Sequence, residues 1–342
     1  MIFNKKHLDD IVRCYCASHM TIDDQCYAFF ASENPESECY SYTGDDFSKK
    51  EVVWENDRGG CMSIIPFVDR KGEFLAVNEF YLKVSPSKAK LVRGKKTEKG
   101  WEIHDVFNLP YLHRFDIYHI NGKDYVVCAT IARDKANKED WSRPGQVYVG
   151  EIPTDLDNNN IVLTQVADGL YKNHGYTRGK YNGVDCGYFG CDSGLYRLTF
   201  ENEEWKLAKI LDGHIGEIAL SDIDHDGTPE LMTIEPFHGN EIHVYKLIDN
   251  KYKRVYTYPN EIDFAHALVG TTLCGKNCFV AGIRRVNCEI FVLTYENNEF
   301  KVNMVDTGVG PANLDVIHFN NKEYILGANH TKNEAAIYEV EE

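Results

Sequence analysis

The sequence of 342 residues has no long apolar run. No segment approaches the roughly 20 apolar residues of a membrane-spanning helix. The first ten residues, MIFNKKHLDD, also lack the apolar stretch of a secretory signal. We therefore expect a cytoplasmic protein with no membrane partner.

Several catalytic motifs are missing. The chain contains no Gly-x-Ser-x-Gly elbow, no Walker loop and no strand-linked Gly-x-Gly-x-x-Gly. These motifs place a nucleophilic serine, a triphosphate or a dinucleotide against the backbone. Serine hydrolysis, nucleotide hydrolysis and dinucleotide chemistry therefore find no support in the sequence.

Basic residues are scarce relative to acidic ones. The chain has 37 Lys and Arg against 53 Asp and Glu, which gives a net charge of −16 with neutral histidines. Such a field repels phosphate backbones, so we expect no nucleic-acid partner. The same field attracts divalent cations.

The eleven cysteines show no paired Cys-x₂-Cys motif of the kind that holds structural zinc. Cys186 and Cys191, and Cys274 and Cys278, are spaced otherwise, and the second pair is typical of a hairpin turn. An odd number of scattered cysteines in a chain of this length indicates reduced thiols rather than a disulfide framework.

What the chain does contain is a repeat of about 50 residues. Short strands rich in aromatic and β-branched residues alternate with Gly, Asn and Asp turns, and 21 Tyr and 17 Phe support this interpretation. The repeat predicts an all-β fold, a seven-bladed β-propeller of four-stranded blades, with residues 1–342 as one domain. An irregular pair of β-sandwiches is the alternative. The predicted units begin near Ser18-His19, Gly60-Cys61, Leu112-His113, Asn173-His174, Gly213-His214, Ala265-His266 and Pro311-Ala312.

The last unit ends one strand short, at Ile337-Tyr338-Glu339-Val340. The residues before Cys14 could supply the missing outer strand, as in many propellers. A short N-terminal helix is the alternative.

A candidate cation loop begins at Asp222. Asp222, Asp224 and Asp226 occupy positions 1, 3 and 5, Gly227 permits a sharp turn, and Glu230 falls at position 9. With a backbone carbonyl near Thr228, this spacing can collect the oxygen ligands that Ca²⁺ or Mg²⁺ requires. We expect a structural divalent cation here; a metal-free Asp-rich turn is the alternative. The loop resembles the Asp-x-Asp-x-Asp-Gly loop of FG-GAP or VCBS propeller repeats, which implies that it joins the first two strands of a blade.

A second group of residues is predicted to meet at the central mouth of the propeller. In a propeller, the entrances of the first strands and the ends of the second strands emerge on one face. Imidazoles mixed with carboxylates and guanidinium groups can bind a transition metal, move protons or stabilise an oxyanion. Histidines that only hydrogen-bond neighbouring strands are the alternative. The candidate catalytic residues are His113, His174, His214, His266, Arg284, His238 and His330, and Glu79 and Glu235 are candidate substrate-binding residues.

The loop from Ala132 to Pro144 follows a second strand and is expected to overhang this mouth. Trp141 could stack on a sugar ring, while Arg133 or Arg143 holds an anionic or keto oxygen. A mobile loop without ligand contacts is the alternative.

Three further stretches support a functional expectation. Ile234–Gly239, Asp140–Gly145 and Ala328–His330 resemble segments of FG-GAP-like propellers, and they are similar to the propeller domain of aldos-2-ulose dehydratase-like sugar lyases. The resemblance implies a carbohydrate lyase or dehydratase that acts on a keto-sugar or uronate-type saccharide. Those enzymes also carry cupin domains, and we expect none within these 342 residues. The alternatives are a non-enzymatic propeller that binds a protein or glycan, and a metal-dependent hydrolase or epimerase.

Overall fold

The computed structural model describes residues 1–81 and 86–342. Its strands form seven four-stranded antiparallel sheets, in which strands consecutive in the chain pair with each other in all but one sheet. The protein is a seven-bladed β-propeller, which confirms the predicted fold class. Within the described residues, helical structure is limited to the 3₁₀ turn Pro86–Lys88, and no helix is long and apolar enough to cross a membrane.

The chain divides into two compact units. Unit 1 comprises Met1–Ser32, Cys39–Glu51 and Gly216–Glu342, and unit 2 comprises Glu33–Glu38 and Val52–Ile215. Each unit is built from consecutive sheets.

Unit 1 contains three complete sheets and most of a fourth. Their strands are β18 Glu217–Ser221, β19 Glu230–Glu235, β20 Glu241–Ile248 and β21 Lys251–Thr257; β22 Asp263–Leu273, β23 Lys276–Arg285, β24 Ile290–Glu296 and β25 Glu299–Asp306; β26 Asn313–Phe319, β27 Lys322–Asn329, β28 Glu334–Glu341 and β1 Ile2–Asp10; and β2 Cys14–Ile22, β3 Gln25–Ser32, β4 Cys39–Thr43 and β5 Lys49–Trp54.

Unit 2 contains three sheets. Their strands are β6 Ile64–Pro66, β7 Glu73–Asn78, β8 Lys90–Thr97 and β9 Gly100–Asn108; β10 Leu112–Ile120, β11 Lys123–Thr130, β12 Gly145–Ile152 and β13 Thr164–Leu170; and β14 Gly175–Tyr181, β15 Val184–Cys191, β16 Gly194–Glu201 and β17 Glu204–Leu211.

Burial follows the position of a strand within its sheet. The second strand β23 is buried on both faces from Cys278 to Ile283, whereas the fourth strand β25 contains only exposed and partly exposed residues. Neighbouring sheets bury these second strands between them; Phe279 of β23, for example, belongs to one apolar cluster with Met232 and Ile234 of the preceding sheet. The largest apolar surfaces are thereby removed from water.

Some neighbouring strands approach too closely for a side chain. A Cβ atom on Gly270 in β22 would lie 1.9 Å from the carbonyl oxygen of Leu220 in β18. Glycine at this position therefore allows the two first strands to meet.

Strand β1 completes the sheet of β26, β27 and β28 by pairing antiparallel with β28. The buried carboxylate of Glu334 fastens this pairing, because it contacts Lys5 at 2.8 Å, His7 at 3.2 Å and Lys332 at 3.2 Å. Asn329 donates a further hydrogen bond at 2.8 Å. Burial opposes ionisation of Glu334, but these partners outweigh it and lower its pKa to about 2.

This carboxylate gives a pH prediction. A carboxyl group with a lowered pKa stabilises the fold above its unfolded pKa, and that contribution is lost as the pH falls through the folded pKa. We therefore expect part of the stability to disappear between about pH 4.5 and pH 2. Thermal melts of the wild type and of Glu334→Gln across this range test it. The difference between the two melting temperatures should shrink as the pH falls, and a constant difference would contradict the prediction.

Candidate functional site

The first strands of several sheets share a β-bulge at the point where the chain enters the sheet. The pairing register skips Tyr15 in β2, His113 in β10 and His266 in β22. His174, just before β14, donates its backbone N–H to the carbonyl of Gly190, which already pairs with Gly175. Since a bulge turns a side chain out of the regular alternation, these positions are suited to carry functional groups.

In unit 1, Tyr15 and His266 form a buried polar pair. Nδ1 of His266 lies 2.6 Å from the carbonyl oxygen of Ala312. A carbonyl only accepts, so Nδ1 carries the proton and Nε2 presents a lone pair. The hydroxyl of Tyr15 lies 3.4 Å from this Nε2. The pair thus holds one imidazole in a defined tautomer, with a hydroxyl in front of its basic nitrogen.

Arg284 and His330 form a second pair in unit 1. Nη2 of Arg284 lies 2.7 Å from Nδ1 and 3.1 Å from Nε2 of the His330 ring. Nη2 is close to both ring nitrogens, so the guanidinium group packs against the imidazole of His330. Both side chains are partly exposed. The ring of Tyr15 meets the ring of His330 edge-on at 6.5 Å, which connects the two pairs.

His238 lies within a stack of rings. Its imidazole stacks on Phe237 at 3.9 Å, on Phe264 at 4.4 Å and on His266 at 4.8 Å between centroids. The guanidinium group of Arg284 lies 4.7 Å from the centroid of Phe264. Unit 1 therefore brings together His238, His266, Arg284 and His330, four of the predicted catalytic residues.

A pocket of about 400 Å³ opens beside this stack. His238 and Phe237 belong to its wall, and Glu261 and Asp263 add two carboxylates. A concave surface with an aromatic wall and a few polar groups is typical of a small-molecule site.

In unit 2, the structure brings together His113 and His174. Their ring centroids are 4.6 Å apart, and both side chains are buried. Phe80 meets His113 edge-on at 5.0 Å, and Nε of Arg114 donates to the carbonyl oxygen of His174 at 3.2 Å. These contacts hold the two imidazoles side by side.

The other predicted residues of unit 2 make surface ion pairs. His214 lies after β17, 3.8 Å from Asp192, with a side chain that is 71% exposed. Glu79 pairs with Lys90 at 2.8 Å, Arg133 with Asp168 at 4.0 Å and Arg143 with Asp134 at 2.8 Å. In unit 1, Glu235 accepts hydrogen bonds from Thr233 at 2.7 Å and Tyr245 at 2.9 Å.

The loop from Ala132 to Pro144 is folded on itself. The side chain of Asp140 accepts hydrogen bonds at 2.9 Å from the backbone of Ala136 and of Ser142. The ring of Trp141 carries the ammonium group of Lys135, which lies 3.1 Å from the ring centroid. This face of Trp141 is therefore covered by a cation of the same loop.

The candidate cation loop joins β18 and β19, the first two strands of a blade. Ligand atoms of Asp222, Asp224 and Asp226 lie within 4.8 Å of one another. Oδ1 of Asp222 and Oε1 of Glu230 are buried without a hydrogen bond, so the donor set fits a hard divalent cation. The amide of Thr228 donates to Asp226 at 2.8 Å, and Gly227 has a positive φ of 89°.

Lys246 on β20 reaches the same carboxylates. Its ammonium group contacts Asp224, lies 2.8 Å from Asp226 and lies 3.7 Å from Glu230. Hydrogen bonds to Asp224 and Asp226 raise the pKa of Lys246. The loop thus has a counter-ion from its own chain, which a divalent cation would have to displace.

Two residues, Tyr15 and Lys246, were missed by the sequence analysis. The blade entrance predicted at Ser18-His19 lies too late, because β2 begins at Cys14 and His19 pairs with Ala28 inside the strand. The matching position is Tyr15. Its neighbours Cys14 and Cys16 resemble the small residues around His266 and could have indicated it. No local sequence pattern indicates Lys246, because only the pairing of β20 with β19 places it beside the loop.

Comparisons with known proteins support the fold. No protein family model and no curated protein sequence matches the chain. Among solved structures, a candidate 6-phosphogluconolactonase from Bacteroides uniformis aligns with a TM-score of 0.63 at 12% identity, covering 94% of this chain and 93% of that one. Another from Bacteroides fragilis gives 0.58 at 12% identity, over 90% and 92% of the two chains.

The Sqt1 protein of Saccharomyces cerevisiae aligns with a TM-score of 0.54 at 10% identity, covering 99% of this chain and 98% of that one. At such identities the likeness shows the fold alone. The resemblance to FG-GAP and VCBS repeats and to aldos-2-ulose dehydratase stays a prediction. The chain is similar in fold, over almost its whole length, to sugar-lactonase-like and Sqt1 structures.

Proposed function

We propose that the protein processes a saccharide, and that it is a carbon–oxygen lyase acting on a keto-sugar through the side chains of unit 1. The observation that carries this proposal is the Arg284–His330 pair, in which a guanidinium nitrogen lies 2.7 Å from an imidazole nitrogen. The candidate 6-phosphogluconolactonases of similar fold support a sugar ligand in general terms.

Elimination beside a carbonyl needs a base, an electrophile and an acid. The base takes the C–H proton, the electron pair enters a new C=C bond, and the C–O bond breaks with the protonated oxygen as leaving group. Arg284 is the electrophile that holds the enolate oxygen. His266 is the base, and the hydroxyl of Tyr15, which lies 3.4 Å from its Nε2, relays the proton.

The acid must reach the leaving oxygen at the surface of the site. His238 and His330 are both partly exposed and adjoin the other groups, so either can deliver the proton. The wall carboxylates Glu261 and Asp263 repel an anionic sugar, and a net charge of −16 adds to this repulsion. These charges favour a neutral keto-sugar over a uronate.

A substrate screen tests this proposal. The purified protein is incubated with neutral keto-sugars, oligouronides and sugar lactones, and new absorbance of an unsaturated product is followed together with lactone consumption. We expect unsaturated product from a keto-sugar. Lactone opening without an unsaturated product would indicate a hydrolase instead, and saturable binding without any turnover would indicate a binding module.

The cation loop serves a separate, structural role in this proposal. Asp222, Asp224, Asp226 and Glu230, with the backbone carbonyl of Thr228, would hold Ca²⁺ or Mg²⁺ and brace the β18–β19 connection. The imidazole of His266 could also bind a transition metal through Nε2. A histidine ligand usually donates a hydrogen bond from its other ring nitrogen to a carboxylate or carbonyl oxygen, as Nδ1 of His266 does to Ala312. Elemental analysis of the purified protein tests both sites.

A further inference from the structure

We propose that the pocket formed by residues 236–240 and 261–263 binds a primary ammonium group, so that the substrate is a keto-sugar that carries an amine. The choice of a keto-sugar rests on the proposed function. The ammonium site rests on the pocket alone, so either statement can be wrong without the other.

Two chain segments of unit 1 form this pocket. Residues 236–240 connect β19 to β20, and residues 261–263 end at the start of β22. The backbone N–H of Ala265 donates to the carbonyl oxygen of Gly239 at 3.0 Å, which ties the two segments together. Ile262 is buried in the apolar cluster beneath them. The wall is therefore built on the sheets of unit 1 and does not need a ligand to form it.

A buried tyrosine anchors the second segment. Tyr258 is 5% exposed, and its ring stacks on Phe291 with centroids 4.4 Å apart. Its backbone N–H donates to the carbonyl oxygen of Ile242 at 2.9 Å, and its hydroxyl donates to Glu289 at 2.6 Å. Glu261 follows three residues later, on a short loop that is held at both ends. Such preorganisation reduces the entropy lost when a ligand binds.

The charges of the pocket are negative. Glu261 and Asp263 line it, and no lysine or arginine is among the lining residues in the described part of the chain. Arg285 pairs with Asp263 at 3.2 Å and balances one of the two carboxylates. No ion pair of the described residues includes Glu261. One negative charge therefore remains for a cationic ligand.

The aromatic rings favour the same charge. Phe237 and His238 line the pocket, and His238 stacks on Phe264 with centroids 4.4 Å apart. Phe264 already has two cations of the protein near its ring, since the guanidinium groups of Arg284 and Arg285 lie 4.7 Å and 4.4 Å from its centroid. The face of an aromatic ring attracts a cation more strongly than a neutral hydroxyl group. The rings and the carboxylates thus select together for a positive charge.

The size of the pocket indicates an organic cation. Its volume of about 400 Å³ is far larger than a metal ion and can hold a monosaccharide. Its side chains offer two carboxylates and the amide of Asn240, which is too few oxygens to surround a hard divalent cation. The amide can instead donate to or accept from a sugar hydroxyl. An amino-sugar satisfies both the charge and the polar groups.

The test compares two keto-sugars that differ in one group. 1-Amino-1-deoxy-D-fructose carries a primary ammonium group where D-fructose has a hydroxyl. Isothermal titration of the full chain at pH 7 and low ionic strength measures both dissociation constants. We expect the amine to bind at least about tenfold more tightly, because its charge meets a carboxylate and aromatic rings.

Two glutamine variants locate the site. Glu261→Gln should reduce the preference for the amine to within about threefold, because the unbalanced charge of the pocket is lost. Glu299→Gln removes an equal charge from β25, outside the pocket, and should keep the preference of the wild type. Both glutamates are exposed, and circular dichroism verifies that the variants are folded. Equal affinities for the two sugars in the wild type, or a preference that Glu261→Gln leaves unchanged, would overturn the proposal.

Binding and turnover distinguish this inference from the proposed function. Tighter binding of the amine, with no unsaturated product from any keto-sugar, would retain the ammonium site and reject the lyase. Unsaturated product from D-fructose, with no preference for the amine, would retain the lyase and reject the ammonium site.

Discussion

Replacing Arg284 with glutamine is expected to lower kcat for the keto-sugar elimination by about 10²- to 10³-fold, the usual loss when one donor to a developing oxyanion is removed. Arg284 is the guanidinium group bound to His330, and it lies over the face of Phe264. The amide of glutamine carries no charge, so it stabilises a negative charge on the enolate oxygen less well than the guanidinium group does. KM should change much less than kcat, because the enolate exists only after the proton has been removed.

The neighbouring Arg285 offers a matched control. It also lies over Phe264, at 4.4 Å, but its side chain is exposed and pairs with Asp263 at 3.2 Å. Arg285→Gln should therefore leave kcat close to that of the wild type. Steady-state rates of both variants distinguish a specific role of Arg284 from a general effect of surface charge. Equal losses in the two variants would mean that only the charge of the surface matters, and no loss in either would remove Arg284 from the mechanism.

Replacing Lys246 with methionine is expected to make the stability of the protein depend on calcium. Lys246 is the positive charge that contacts the carboxylates of Asp224, Asp226 and Glu230. Glu230 is only 2% exposed, so loss of this charge leaves a buried carboxylate without its nearby cation, which destabilises the folded state. Calcium can restore the missing positive charge, and it stabilises the folded state by mass action.

Thermal melts in EDTA and in excess calcium measure this effect. In EDTA, Lys246→Met should melt several degrees below the wild type, and calcium should raise its melting temperature more than that of the wild type. Lys253→Met is the control, because Lys253 is exposed and pairs only with Asp249 at 3.5 Å. If Lys246→Met has the same melting temperature as the wild type in EDTA, and calcium does not raise it, the loop is an ordinary turn.

The wild type should respond weakly to EDTA for the same reason. The spacing of the aspartates alone predicts a clear fall in melting temperature when metal is removed. In the structure Lys246 contacts Asp224, Asp226 and Glu230, so its positive charge compensates part of the negative charge of the loop when no metal is bound. The local sequence indicates the candidate ligands, whereas the competing cation, Lys246, lies on another strand, β20.

Much of the candidate site could be read from local patterns. His113, His174 and His266 were predicted at blade entrances, and the structure places all three at or beside the first residues of first strands. Repeat spacing made this possible, because the first strands of successive blades begin 42 to 63 residues apart. His19 was misplaced because a histidine was taken as the marker, while the matching residue of that blade is Tyr15.

The remaining contacts could not be predicted from the sequence. The bond between Arg284 and His330 joins residues that lie 46 positions apart. The contact between Trp141 and Lys135 depends on the conformation of a loop in which either side of the ring could have faced outwards. Such pairs depend on rotamers and on small differences in burial, which leave no periodic signal in the chain.

The amino-acid sequence by itself determined the seven four-stranded sheets and the place of the Asp222–Glu230 loop between two strands. Both follow from short-range preferences: alternating apolar residues form strands, and Asp and Gly at fixed offsets form turns. Only the tertiary structure decided which nitrogen of His266 carries a proton, that Tyr15 stands before it, and that Lys246 lies among the loop carboxylates. These are contacts between strands, and their geometry is set by register and packing across residues that are remote in the chain.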